Sequence, residues 1–135
     1  MRFDDVPDVV RHRMSKIRKT GSKPELLVRK IAHRLGYRFR INRSDLPGTP
    51  DVVFPARRKV IFVHGCFWHQ HVGCHHANTP RTRPEYWLPK LARTIERDQS
   101  SIRALHALGW DAMVIWECEI RDSESLKDRL EQFLA

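Results

Sequence analysis

Two cysteines, three histidines and an adjacent Phe-Trp pair fall within His64-Gly-Cys-Phe-Trp-His-Gln-His-Val-Gly-Cys74. Thiolate and imidazole at short spacing suit a tetrahedral zinc ion, and aromatic rings in a loop suit stacking on nucleic-acid bases. Cys66 and His71 are five residues apart, Cys74 lies three further on, and Cys118, at the end of a later strand, can close a Cys₃His set. His75 and His76 compete with His71 for the fourth place. Three thiolates leave no open position, so the site reads as structural, with a folding contribution of about 10 kcal/mol or more. The chain has only three cysteines, an odd number that argues against a disulfide framework and leaves ligation or plain burial.

A second constellation centres on Asp51, which follows Pro50 at the mouth of a strand. Mg²⁺ typically takes one or two carboxylates plus substrate phosphate and water, and the main-chain carbonyl of Val63 on a neighbouring strand could add a ligand. His64 and His69 lie close by in sequence, and an unperturbed imidazole pKa of about 6.5 suits proton transfer at neutral pH. Glu25 fits a capping box, Ser22-Lys-Pro-Glu25, although a carboxylate at a helix N-terminus could also face a metal.

The elements that must position these groups follow from periodicity. After the capping box, Leu27, Ile31 and Leu35 form a helical stripe that stops at Gly36. Tyr37–Ile41 alternates like a strand with one basic face. Asp51–Phe54 and Val60–Val63 read as a β-hairpin that brings Asp51 opposite Phe62 or Val63, beside the His64 end of the second strand. Thr82-x-x-Glu85 is a second cap, and a helix is expected from about residue 88 to Leu108, closed by Gly109. Ala112–Cys118 reads as a buried strand and Ser123–Phe133 as an amphipathic helix, with Trp110 and Trp116 in the core. In an extended segment Phe67 and Trp68 would face opposite ways, so one of them, or Trp87 between its prolines, should be presented to a partner. The order suggests an α/β fold: a mixed β-sheet flanked by helices.

At 135 residues the chain is long enough for one domain, read as a basic N-terminal arm over 1–21 and a folded unit over 22–135. Its net charge of +9 is unevenly spread: Arg11 to Arg43 carries twelve Lys or Arg and one acid. Such density attracts polyanions, nucleic acid first among them, through Arg11, Arg13, Lys16, Arg18 and Lys19 of the arm. No apolar run approaches the roughly 18 residues of a membrane span and no signal peptide is seen, so a cytoplasmic, nucleoid-associated protein without membrane contact is expected.

Taken together, Leu46-Pro-Gly-x-Pro-Asp51, Phe62-Val-His-Gly-Cys-Phe-Trp-His69 and Trp116-Glu-Cys118 resemble the very-short-patch-repair (Vsr) endonucleases over nearly the whole chain from Met14. The resemblance implies a restriction-endonuclease-like fold, a structural zinc and a catalytic Mg²⁺. It implies that Asp51 holds Mg²⁺ with the carbonyl of Val63, and that His69, oriented by Asp98, acts as general base. His64 and Glu25 would act through metal-bound water, and Cys66, His71, Cys74 and Cys118 would hold zinc. Phe67, Trp68 and Trp87 would wedge into the base stack from the major groove and Met14 from the minor groove. The implied substrate is double-stranded DNA with a T:G mismatch, nicked 5′ of the mismatched T by a monomer and passed to downstream repair proteins.

Two other readings compete: a nickase of relaxed mismatch or lesion specificity, and a zinc-stabilised DNA-binding module without catalysis. A zinc hydrolase or deaminase fits worst, because neither His-Glu-x-x-His nor His-x-Glu with a downstream Pro-Cys-x-x-Cys occurs.

Overall fold

The computed structural model describes residues 23–74 and 83–135. The basic arm with Met14, Arg11, Arg13, Lys16, Arg18 and Lys19, the Ser22 end of the capping box, Thr82, His75 and His76 lie outside the described residues. The described elements are α1 (Lys23–Arg34), β1 (Val52–Phe54), β2 (Lys59–His64), α2 (Pro84–Ala107), β3 (Asp111–Trp116) and α3 (Ser123–Leu134). The protein is a mixed α/β structure: β1 runs antiparallel to β2, and β2 parallel to β3, in the order β1-β2-β3.

Alternating side chains cover both sheet faces with helices, which is why the strands read as continuous apolar runs. Val52, Phe54, Ile61 and Ile115 pack on one face against Val28, Ile31 and Ala32 of α1 and Leu126, Leu130 and Leu134 of α3. Val53, Val60 and Phe62 pack on the other face with Leu46 and with Leu105 of α2. The long α2 makes the crossover that two parallel strands require.

The hairpin register is as expected, with Val52 opposite Ile61 and Phe54 opposite Lys59. Its turn is the 3₁₀ segment Pro55–Arg57, closed by Arg58 at φ 54°. Both α1 and α2 end as the sequence suggests. Tyr37 N–H returns to the carbonyl of Ala32 and Trp110 N–H to that of Leu105, each closing the helix past a glycine.

Three expectations need correction. The strand at 37–41 reduces to one antiparallel bridge, Arg40 to Val53, because β1 itself is only three residues long between Pro50 and Pro55. Helix α2 begins at Pro84 rather than near residue 88 and absorbs Pro89, whose ring nitrogen leaves the Glu85 carbonyl without its i+4 donor. Strand β3 is an edge, so only Ile115 in it is fully buried.

Candidate active site and metal cluster

The C-terminal end of β2 and the loop beyond it gather nearly every residue singled out above. Asp51 enters the ladder through its N–H to the Ile61 carbonyl at 3.1 Å, and its Oδ2 accepts the Val63 N–H at 2.6 Å. The turn before it is seated on α2. A Cβ at Gly48, where φ is +77°, would stand 2.7 Å from the Ser101 Cβ, so only glycine permits the approach. Ser101 lies three residues beyond Asp98 on the same helix, and this contact therefore ties the Asp51 turn to the element that carries Asp98.

Glu25, 4% exposed, comes from the first turn of α1, and its Oε2 accepts a bond from Arg29 Nη2 at 3.1 Å. The Asp51 carboxyl is pushed up to about 7, first by burial and then by the charge of Glu25 and a hydrogen bond with it. The Val63 N–H and the charge of Arg29 oppose that rise. The Asp51 carboxyl so placed keeps its proton up to about neutral pH unless a cation joins it.

His64 is the next residue along β2 and is buried. Its ring stacks on His69 with centroids 3.7 Å apart and planes within 6°. Burial, then the neighbouring His69, push the His64 imidazole down to about 4, so it is neutral at pH 7. Its Nδ1 is buried with no hydrogen-bond partner among the described residues. His69 Nδ1 lies 2.5 Å from Asp98 Oδ2. With Asp98 ionised, Nδ1 carries the proton and Nε2 is left as a base, the orienting logic of acid–base dyads in general. The ligand atoms of His64, His69 and Asp98 do cluster. Stacked imidazoles, however, direct their in-plane lone pairs along parallel planes, which do not converge on one ion.

The same loop carries the second cluster. Ligand atoms of Cys66, His71, Cys74 and Cys118 all lie within 4.8 Å of one another and could hold a metal ion. His71 Nδ1 is 3.8 Å from Cys66 Sγ and 3.4 Å from Cys118 Sγ. Burial, foremost, pushes the Cys66 thiol up to about 12 and raises that of Cys118. The turn between the clusters is tight: Gln70 sits at φ 49° and its Nε2 donates to the Phe67 carbonyl at 2.5 Å.

Residues 66–70 form a turn rather than an extended segment, so Phe67 and Trp68 share one side. Their rings meet edge to face at 5.2 Å, and Trp87, 4% exposed, lies behind them with Tyr86 and Leu91. Phe67 and Trp68 are half-buried, with Lys90 Nζ 5.8 Å from the Trp68 ring.

A family model described as DNA mismatch endonuclease Vsr matches residues 6–76, more than half of the chain. The chain belongs to this family. Among similar proteins, "Type II nicking enzyme V.XorIIP" of Xanthomonas oryzae pv. oryzae is 48% identical over 128 residues, covering 95% of this chain and 93% of that one. "DNA mismatch endonuclease Vsr" of Escherichia coli (strain K12) is 38% identical over 130 residues, covering 90% and 83%. "Type II nicking enzyme V.NmeAIP" of Neisseria meningitidis is 36% identical over 121 residues, covering 90% and 86%. The present Vsr-family protein is thus an endonuclease.

Two residues beside the clusters of this Vsr-family chain, Trp116 and Arg29, escaped sequence reasoning. Trp116, expected in the core, is half-buried and forms a wall between the clusters, stacked on His71 at 4.2 Å and edge-on to His64 at 5.2 Å. Trp110 packs against the Leu105 core cluster, as expected, with its half-buried ring between Arg43 and Arg58. Arg29 was also missed, although its i+4 spacing from Glu25 was visible. Asp98 had been carried over by resemblance alone, yet the sequence held a signal for it. An acid within the stripe Leu91, Asp98, Ile102, Leu105 breaks the apolar face of a helix.

Proposed function

We propose that this endonuclease nicks one strand of duplex DNA 5′ of the mismatched T in a T:G pair, with Mg²⁺ as the catalytic ion and zinc as a structural one. The single observation that carries the reading is continuity: Asp51 bonds Val63, Val63 adjoins His64, His64 stacks on His69, and His69 is hydrogen-bonded to Asp98. That chain joins a carboxylate pair suited to a hard cation with a histidine suited to proton abstraction.

Asp51 and the main-chain carbonyl of Val63 would hold Mg²⁺, whose chemistry when bound is to polarise the phosphodiester and offset charge on the leaving oxygen. The pair formed by Asp51 and Glu25 fits such an ion, because Glu25 is buried and its negative charge acts on Asp51. Around this site the protein's own groups do the rest. His69 Nε2 takes the proton of the attacking water, and Asp98 holds the ring in the correct tautomer and balances the imidazolium charge. His64, kept neutral by burial, and Glu25 order water beside Asp51.

Zinc suits the cluster of Cys66, His71, Cys74 and Cys118. Bonds of about 2.3 Å to sulfur and 2.0–2.1 Å to nitrogen, set tetrahedrally, require S···N edges of about 3.6 Å. The edges here are 3.8 and 3.4 Å. Phe67 and Trp68, backed by Trp87, enter the base stack from the major groove, Met14 enters from the minor groove, and the arm contacts phosphates.

The test is a nicking assay with Mg²⁺ on labelled duplexes carrying T:G, another mismatch or none, with Asp51→Ala and His69→Ala in parallel. A nick 5′ of the T in the T:G duplex alone, lost in both variants, is expected. Equal nicking of every mismatch would favour the relaxed-specificity reading. Binding without any nick would favour the non-catalytic module.

A further inference from the structure

We propose that Arg29 is the resident counter-cation of the Asp51–Glu25 pair, suppressing Mg²⁺ loading until DNA phosphate draws the guanidinium away. The inference rests on the reading that this pair holds the catalytic divalent ion.

Three observations converge. First, Arg29 meets Glu25 Oε2 through Nη2 at 3.1 Å, with the two side chains 15% and 6% exposed, so the ion pair lies inside the protein rather than on a helix surface. Second, Val28 of the same helix shares a core cluster with Val52, the residue after Asp51, so the Arg29–Glu25 pair comes from the helix packed against the Asp51 strand. Third, Arg29 Nε is buried and has no hydrogen-bond partner among the described residues.

A solvated i,i+4 pair would stabilise the helix only slightly and leave no donor stranded. Here a planar fork of five N–H donors is desolvated, with one of them bonded to Glu25 and another, Nε, idle among the described residues, an arrangement that costs free energy unless a further acceptor arrives. The acceptor that a guanidinium fork matches best is an anionic oxygen pair such as a phosphodiester. DNA that brings its backbone to Asp51 would supply one. Arg29 would then release Glu25, and the uncovered carboxylates would take up the divalent ion. By linkage, the ion would strengthen DNA binding by the same factor.

The experiment is calorimetric titration of Mg²⁺ into zinc-loaded protein, without DNA and with a T:G duplex, the latter in a His69→Ala background so that the duplex stays intact. Wild type is compared with Arg29→Met, Arg29→Gln and Arg29→Lys. Without DNA, the two neutral variants should bind Mg²⁺ about tenfold more tightly than wild type, and Arg29→Lys, which keeps the charge, should remain within about twofold of it. The duplex should tighten Mg²⁺ binding more in the wild type than in either neutral variant. Equal or weaker Mg²⁺ binding by both neutral variants would overturn the inference, since Arg29 would then merely orient Glu25. Arg29→Gln serves as the readout should Arg29→Met fail to fold. An Asp51→Asn control separates the two levels. If it abolishes Mg²⁺ binding while the neutral variants do not tighten it, only the inference falls. If binding is indifferent to Asp51→Asn, the divalent site is elsewhere and the functional reading falls with it.

Discussion

The Cys/His knot and the Asp51 end of the sheet share a loop but are assembled differently. The knot takes three of its four candidate ligands from residues 66–74 and only Cys118 from elsewhere, so most of its geometry is settled locally. The proposed reacting end draws on Glu25 from α1, Asp51 before β1, His64 from β2, His69 from the loop and Asp98 from α2. A chelate of short loops can organise its own surroundings, because bond energy to the ion offsets the ordering of a few residues. Proton-transfer geometry has no such source, and it depends on every layer docking in register. Stability should therefore concentrate in the first region and activity in the second.

The sharpest way to break that division is to exchange the phenotypes. His69→Ala should lower the nicking rate by about 10²–10⁴ while the melting temperature stays near wild type. A variant that melts early would show that the stacked histidines brace the fold instead. Conversely, Cys66→Ser or stripping by a strong chelator should remove a folding contribution on the order of 10 kcal/mol, visible as loss of the cooperative transition in thermal melts with metal content falling in step. An unchanged melt would mean that the knot is ordinary packing.

Gly48→Ala falls between the regions. It adds a methyl group where Ser101 is 2.7 Å away and where φ is +77°. A loss of about 1–3 kcal/mol is expected in denaturant titrations, together with reduced nicking at temperatures where the variant remains folded. Full activity in the folded variant would separate the Asp51 turn from the α2 register.

The most gradual expected effect is a pH dependence of the Mg²⁺-free protein. Asp51 is raised from 3.8 to about 7 on folding, so the folded state holds a proton that the unfolded chain has released. Its stability is thus withdrawn as pH rises through that window. His64 has the opposite sign: lowered from 6.5 to about 4, it weakens folding as pH falls from 6.5 towards 4, because the unfolded chain takes the proton. Each proton contributes a slope of at most about 1.4 kcal/mol per pH unit. Asp51→Asn should therefore gain stability relative to wild type between pH 4 and 7, and Mg²⁺ should erase the difference. A constant difference across that range would rule out the raised Asp51 carboxyl.

Parts of this arrangement were open to reading before any coordinates. The hairpin 51–63 was legible because alternation and a short turn determine register, and register alone brings Asp51 to Val63. The ligand spacing of the knot was legible for the same local reason. The strand at 37–41 was misread: its alternation was real, but the three-residue β1 offers only one residue to pair with. The start of α2 was misplaced because Pro89 reads as a helix beginning, whereas Pro84 occupies the first helical position and Pro89 is tolerated within the first turns.

The sequence by itself determined the helical stripes, the paired strand segments, the basic bias and the candidate ligand and carboxylate groups, since periodicity and spacing are properties of neighbours along the chain. Only the tertiary structure decided that His64 stacks on His69, that Trp116 divides the two clusters, and that Glu25 meets Asp51 with Arg29 beside it. Those contacts join separate elements, and their distances follow from how α1, the sheet and α2 pack, which no local pattern encodes.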